Sequence, residues 1–224
     1  MGRRLPSSIL TIFLAFATFA GAPAAADMAD RQGTVDKSLK QFELMLDDPT
    51  KKWFREHIDD AHGIMILPNV VKAGFIFGGS GGNGVLLRRD PATGTWSYPA
   101  FYTIGAVTFG LQIGAEVAQI AMLVMTEAGM DALLSTDVKL GADASIAVGP
   151  VGTGVAAQTA DILLFSREKG LFGGLTIEGS VLSPRDSWNA EYYGQPASAR
   201  QVLMDGTVSN PAADPLRAAI AAAE

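Results

Sequence analysis

The chain contains no cysteine, which excludes disulfides, thiolate metal sites and cysteine nucleophiles. Its only histidines are His57 and His62, so imidazole-based acid–base and metal chemistry is thinly supplied. Positive charge is scarce too: 17 Lys and Arg stand against 23 Asp and Glu, a formal net charge of −6. Nucleic acid demands a basic footprint and is not an expected partner, and global charge does not draw the chain to anionic membranes. No Gly-Lys-Ser/Thr follows a glycine run, which excludes a Walker loop.

What is present is 224 residues of 48% hydrophobic composition, ample for one packed domain. The opening MGRRLPSSILTIFLAFATFAGAPAAADMAD places Arg3 and Arg4 before an apolar run, Ile9 to about Ala20, too short to span a bilayer. Ala24-Ala25-Ala26 then forms an A-x-A-like cleavage site before Asp27. Residues 1–26 are therefore expected to be a signal peptide, cleaved near Ala26, with a twin-arginine leader or an uncleaved anchor as alternatives. That makes the protein an exported one, periplasmic or secreted, where a cysteine-free chain folds without disulfides.

Residues 27–60 form an N-terminal helical region: Val35, Leu39, Phe42 and Met45 or Leu46 share one face of an amphipathic helix. Asp48-Pro49-Thr50 interrupts it, because the residue before proline is pushed out of the helical region. KKWFREHIDDAH resumes a short helix. From Gly63 the text changes to GIMILP, AGFIFGG and GVLLRRD, short apolar runs bounded by glycine or proline that read as buried strands. Asp90-Pro91 and Gly94 turn a hairpin into TWSYP, and Thr126 caps a short helix over EAGMDALLS. Val138, Leu140, Ala142, Ala144, Ile146 and Val148 alternate with polar residues and glycine, which predicts one half-buried antiparallel strand over 138–148. GPVG and REKG supply turns on either side of ILLFS, and LFGGLTIEGSVL makes a further strand before Pro184. A helix over DSWNAEYY and a C-terminal helical tail, 195–224, follow, the last helix opening with Asp214 as cap. The class is α+β: a glycine-rich, mostly antiparallel β meander, barrel- or sandwich-like, with amphipathic helices at both termini.

FIFGGSGGNGVLL contains a formal G-x-G-x-x-G at Gly79, Gly81 and Gly84. The dinucleotide fingerprint requires a helix after the third glycine and an acidic residue about 20 positions on. Here a β-type segment follows, and 96–112 holds no Asp or Glu. The glycines are read instead as steric, permitting bulges and close backbone approach in a curved sheet. No cofactor is expected.

The blocks AGFIFGGSGGNGVLLRRDPATGTWSYPAF, GLQIGAEVAQIAMLVMT, LGADASIAVGPVGTG and FSREKGLFGGLTIEGSVL, with a closing NAEYYG, resemble the SYLF lipid-binding domain. The resemblance covers 61–194, and the GPVG and SREKGLFGGLTIEGS blocks are its most specific part. It implies a glycine-rich α+β domain without catalytic activity, which in eukaryotic relatives binds phosphoinositide membranes and in some cases actin. Membrane contact there is attributed to a basic N-terminal segment. This chain departs from that picture: Lys37 and Lys40 stand beside Asp36, Glu43, Asp47 and Asp48.

The best candidate for lipid contact is the basic-aromatic cluster Lys51, Lys52, Trp53, Phe54 and Arg55, each cation being worth on the order of 1 kcal/mol at an anionic surface. Its competitor is a helix whose aromatics staple it to the sheet while the charges stay solvated. Lys72 and Arg88, with Arg89 on the opposite face, are candidates to ring a headgroup, against an edge strand protected by charge. His57 and His62 at i, i+5 are turned about 140° apart on a helix and form no metal pair. Glu116, Asp143, Asp161 and Glu178 read as satisfied carboxylates accepting backbone donors rather than a catalytic dyad. Gly78-x-Ser80-x-Gly82 lacks the strand–turn–helix of a nucleophile elbow, and no histidine follows it.

The expectation is an exported, non-enzymatic lipid- or membrane-binding protein. A soluble carrier enclosing an acyl chain and an envelope interaction module without a lipid role are the alternatives. Its partners are a phospholipid surface or an envelope protein, with actin unlikely outside the cytoplasm.

Overall fold

A computed structural model describes residues 23–74, 77–109, 114–148, 159–169, 177 and 179–224. Residues 1–22 of the expected signal peptide, the GPVG turn and Glu178 lie outside the described residues. Among the described residues eight strands make one sheet: β1 (Gly63–Gly74), β2 (Phe77–Arg88), β3 (Ala100–Phe109), β4 (Gly114–Val124), β5 (Val138–Lys139), β6 (Ile146–Val148), β7 (Ile162–Lys169) and β8 (Val181–Pro184). Five α-helices accompany it among the described residues: α1 (Pro23–Asp47), α2 (Lys52–Glu56), α3 (Glu127–Leu133), α4 (Asp186–Tyr193) and α5 (Asp214–Ala221). The α+β class with an antiparallel glycine-rich sheet and helices at both ends is the one the patterning indicates.

Strand order is β5-β8-β3-β2-β1-β4-β7-β6. β1, β2 and β3 are laid down as a meander, and β4 then returns to the other side of β1, which becomes the centre of the sheet. Every named pair is antiparallel except β6–β7. Burial on both faces explains why GIMIL and IAMLV read as unbroken apolar runs. Met65, Leu86, Tyr102 and Ile120 pack on one side with Met130 and Leu133 of α3. Ile64, Ile66, Val85 and Phe101 pack on the other with α1, α2 and α5. The expected stripe of α1 is buried there through Val35, Phe42 and Met45, with Leu39 and Leu46 at its margin.

The punctuation works as local chemistry dictates. Asp48 accepts from the Thr50 N–H at 2.9 Å and starts a 3-10 turn, Pro49–Lys51. Thr126 accepts from the Gly129 N–H at 3.0 Å and caps α3. Asp90 accepts from the N–H groups of Ala92 and Thr93, and Gly94 closes the hairpin at φ 71°.

The glycine loop is a strand. Gly79, Gly81 and Gly84 all lie within β2, so no helix N-terminus faces a phosphate. β1 is a central strand that contains Pro68, and its pairing slips between Ile66 and Asn69 on one side and between Leu67 and Val70 on the other. A bulge is where a central strand tolerates proline. The extra residue crowds β2: a Cβ on Gly84 would lie 2.0 Å from the Ile66 carbonyl oxygen, and one on Gly82 2.5 Å from that of Asn69. At Gly79 and Gly81 the nearest atoms would be 3.4 and 3.7 Å away. The steric reading therefore holds at Gly82 and Gly84.

Three local expectations are corrected. The strand over 138–148 is broken after Lys139, because Gly141 takes φ 85° and the Asp143 carboxylate accepts from the Lys139 N–H at 2.7 Å. Arg167, Glu168 and Lys169 continue β7 instead of turning. Asp214 is the first helical residue of α5 rather than its cap. Asn210 caps the preceding 3-10 turn, Pro211–Ala213, by accepting from the Ala212 N–H at 3.1 Å.

Candidate functional site

The five residues of the basic-aromatic cluster divide between interior and surface. Phe54 is fully buried, edge-on to Phe42 at 6.0 Å and to Phe165 at 5.1 Å between ring centroids. Arg55 donates to the carbonyls of Leu46 and Asp48, both at 2.8 Å, and so closes the C-terminal end of α1. Trp53 is half-buried against His57 and Phe165. Lys52 is exposed and pairs with Glu56 at 3.0 Å, while Lys51 lies beside Asp48. Lys51 at the end of the 3-10 turn, Lys52 and the rim of Trp53 are thus the parts of the cluster left at the surface, beside a helix pinned by Phe54 and Arg55.

Lys72 and Arg88 are not brought together. Lys72 pairs with Ser80, eight positions along β2 from Arg88, a separation of about 27 Å at strand rise. Arg88 lies beside Asp90 in a cleft of about 220 Å³ with Tyr98, Leu203 and Arg217. Arg89 faces the other way, donating to the Asp59 carbonyl at 2.8 Å and pairing with Glu224 at 2.9 Å. His62 meets Glu127 at 3.1 Å, and His57 Nδ1 lies 2.9 Å from the Trp53 carbonyl, so each ring has its own local partner.

Asp161 is a structural clamp. It accepts from the Thr126 hydroxyl at 2.6 Å and from the Ser145 N–H and hydroxyl at 2.9 and 2.7 Å, joining α3, β6 and β7. The Ser145 and Thr126 hydroxyls and the Ser145 N–H hold its carboxyl below the usual carboxylate range. Asp143 accepts from the backbone in the same manner. The Glu116 side chain lies outside the described part of the structure.

One concave feature joins elements far apart in sequence. A groove of about 350 Å³ is walled by Asp30, Thr34 and Lys37 of α1 and by Trp188 of α4, with β1 and β2 as its floor. The Arg31 guanidinium lies 3.6 Å from the Trp188 ring centroid and pairs with Glu191 at 2.9 Å, which fixes α4 against α1. Periodicity along α1 reveals its buried stripe but not this wall, because Trp188 arrives from 157 positions away.

Among the described residues no helix is long and apolar enough to cross a membrane. A family model described as "Ysc84: Las17-binding protein actin regulator" matches residues 105–223, more than half of the chain. The chain belongs to the Ysc84, or SYLF, family. An SH3 domain-containing protein of Schizosaccharomyces pombe is 35% identical over 168 residues, covering 71% of this chain and 38% of that protein. LAS seventeen-binding protein 3 of Saccharomyces cerevisiae is 32% identical over 167 residues, 70% of this chain and 35% of its own length. SH3 domain-containing YSC84-like protein 1 of Bos taurus is 32% identical over 161 residues, 69% and 46% respectively. The chain thus spans less than half the length of these relatives. No solved structure matches it.

Two expectations fall with these findings. Actin was set aside as a partner, yet the matching Ysc84 model is described as an actin regulator and one relative is named for binding Las17. An exported, periplasmic or secreted protein is the expectation from the sequence, yet the relatives are eukaryotic proteins, of yeasts and a mammal, named for Las17 binding and SH3 domains. Both expectations are withdrawn. Of these three relatives one is named as a binding protein and none as an enzyme.

Proposed function

We propose that this chain is a non-catalytic binding module that associates with a phospholipid surface and serves Las17-linked actin regulation of the kind its family is described by. The resemblance to the SYLF lipid-binding domain supports the first part, and the family description supports the second. The observation that carries the lipid reading is α2. Phe54 and Arg55 anchor it, while Lys51, Lys52 and the rim of Trp53 remain outward on a rigid support. Two lysines near an anionic surface contribute roughly 2 kcal/mol, about 30-fold in affinity, and a tryptophan rim suits the headgroup level.

The test is co-sedimentation of the chain with vesicles of phosphatidylcholine and phosphatidylserine in equal parts, at low and high salt, and separately with filamentous actin. Salt-sensitive vesicle binding that the double substitution Lys51→Glu and Lys52→Glu abolishes supports the reading. Failure to sediment with any vesicle removes the lipid part, and failure with actin leaves Las17-type partners as the remaining route to actin.

A further inference from the structure

Cross-strand partners align into rows on the face of the sheet that carries Val85 and Phe101. Val71 of β1 stands opposite Val117 of β4 and Gly81 of β2, and Gly81 opposite Gly105 of β3. Gly105 in turn faces Val181 of β8, which faces Lys139 of β5. Register partners point to the same side of a sheet, so these residues form one row across six strands. The row is open: Val71 is 46% and Val181 36% exposed. Between the two valines the floor is glycine, and steric need does not explain it. A Cβ on Gly81 would meet only the Ile104 carbonyl oxygen at 3.7 Å, and one on Gly105 nothing within 4 Å. The absent side chains leave a trough about 14 Å long across four strands.

The row nearer the helices is polar. Asn69 stands opposite Asn83, Asn83 opposite Thr103, and Thr103 opposite Ser183. The groove walled by Lys37 and Trp188 sits where the two rows meet, with Asn69, Val71, Gly81 and Asn83 in its floor. Lys37 makes no ion pair among the described residues, whereas Asp30, also in the groove, is paired with Arg31 at 3.2 Å.

Two physical arguments select the occupant. β1, β2 and β3 have partners on both sides, so their backbone groups are spent within the sheet and the trough has little hydrogen-bonding capacity. That suits a hydrocarbon chain and not an added polypeptide strand, which must find partners for its own backbone. A free cation and an amide row at one margin suit an anionic headgroup. We propose that the Val71–Gly81–Gly105–Val181 trough holds an acyl chain of an anionic phospholipid, with the phosphate at Lys37 beside the Asn69–Asn83 row. The proposal rests on the lipid-binding reading above and gives it a site separate from α2.

The experiment measures binding of the chain to vesicles of phosphatidylcholine and phosphatidylserine in equal parts for Gly81→Asp, Gly105→Asp and the Lys51→Glu, Lys52→Glu pair. Both glycine sites have room for a side chain, and circular dichroism with a thermal melt verifies that each variant is folded. A carboxylate in the trough is expected to weaken binding at least about tenfold, because its charge must be desolvated against hydrocarbon. Folded Gly81→Asp and Gly105→Asp proteins that bind as the parent does would overturn the trough and leave the lipid reading to α2. A parent chain that binds no vesicle overturns both. A loss with Gly105→Asp alone suffices for the trough should Gly81→Asp fail to fold.

Discussion

The central strands have two unlike halves. From Gly63 to Leu67 on β1 and from Val85 to Leu87 on β2 every residue is buried, with helices or loops on both faces. Past the Pro68 bulge the same strands carry glycine and asparagine, with Val70 still buried on one face and Val71 46% exposed on the other. One half is covered on both faces and the other on one face only. The difference shows that glycine does two jobs here. At Gly82 and Gly84 it makes room for the carbonyls of the bulged β1 beside β2, while at Gly81 and Gly105 it leaves space on an open face.

The largest expected effect tests the covered half. Phe165→Ala removes the ring on which Phe54 packs, and should cost about 3–5 kcal/mol in urea unfolding. Val71→Ala, in the open half, should change stability by no more than about 0.5 kcal/mol. A similar cost at both positions would erase the distinction.

The next effect separates the two kinds of glycine. Gly84→Ala drives a Cβ into the Ile66 carbonyl and should cost about 3 kcal/mol or more in the same assay. Gly105→Ala has open space, and its loss of unfolded-state freedom makes it neutral or slightly stabilising. If Gly84→Ala unfolds at the parent denaturant midpoint, the bulge is not the reason for glycine there.

A smaller effect concerns the rim of the covered half. Three donors hold the folded Asp161 carboxyl below its ordinary value, so its contribution to stability is full above the carboxylate range and is lost as pH falls through the depressed value. Asp161→Asn should therefore flatten the fall in stability below about pH 4. It should also loosen the Thr126 and Ser145 contacts at neutral pH. Thermal melts of both proteins from pH 7 to pH 3, a window set by ordinary carboxylate values, measure this. Parallel profiles would show that other carboxylates carry the acid dependence.

Much of the covered half was legible. The stripe of Val35, Phe42 and Met45, the stop at Asp48-Pro49, the cap at Thr126 and the turn at Asp90 to Gly94 each depend on residues within about three helical turns of one another. The alternation over 138–148 misled because an Asp143 carboxylate bonded to the Lys139 N–H competes with strand pairing, and hydropathy does not register such a bond. Phe54 and Arg55 looked like surface ligands because a basic-aromatic pentad reads alike on a membrane helix and on a helix stapled to a sheet. Only the positions of Phe165 and of the α1 carbonyls separate those cases.

The candidate trough was not legible. Val71, Gly81, Gly105 and Val181 become neighbours through strand order, and that order does not follow chain order once β4 crosses to the far side of β1. The sequence by itself determined the stop at Asp48-Pro49, the cap at Thr126, which helix faces are apolar and which family the blocks resemble, because these are properties of contiguous residues. Tertiary structure alone decided that Pro68 bulges in the central strand, that Trp188 walls a groove against Lys37, and that glycines from different strands share one open face. Those are matters of pairing between distant segments, and pairing is fixed by the register of the whole sheet.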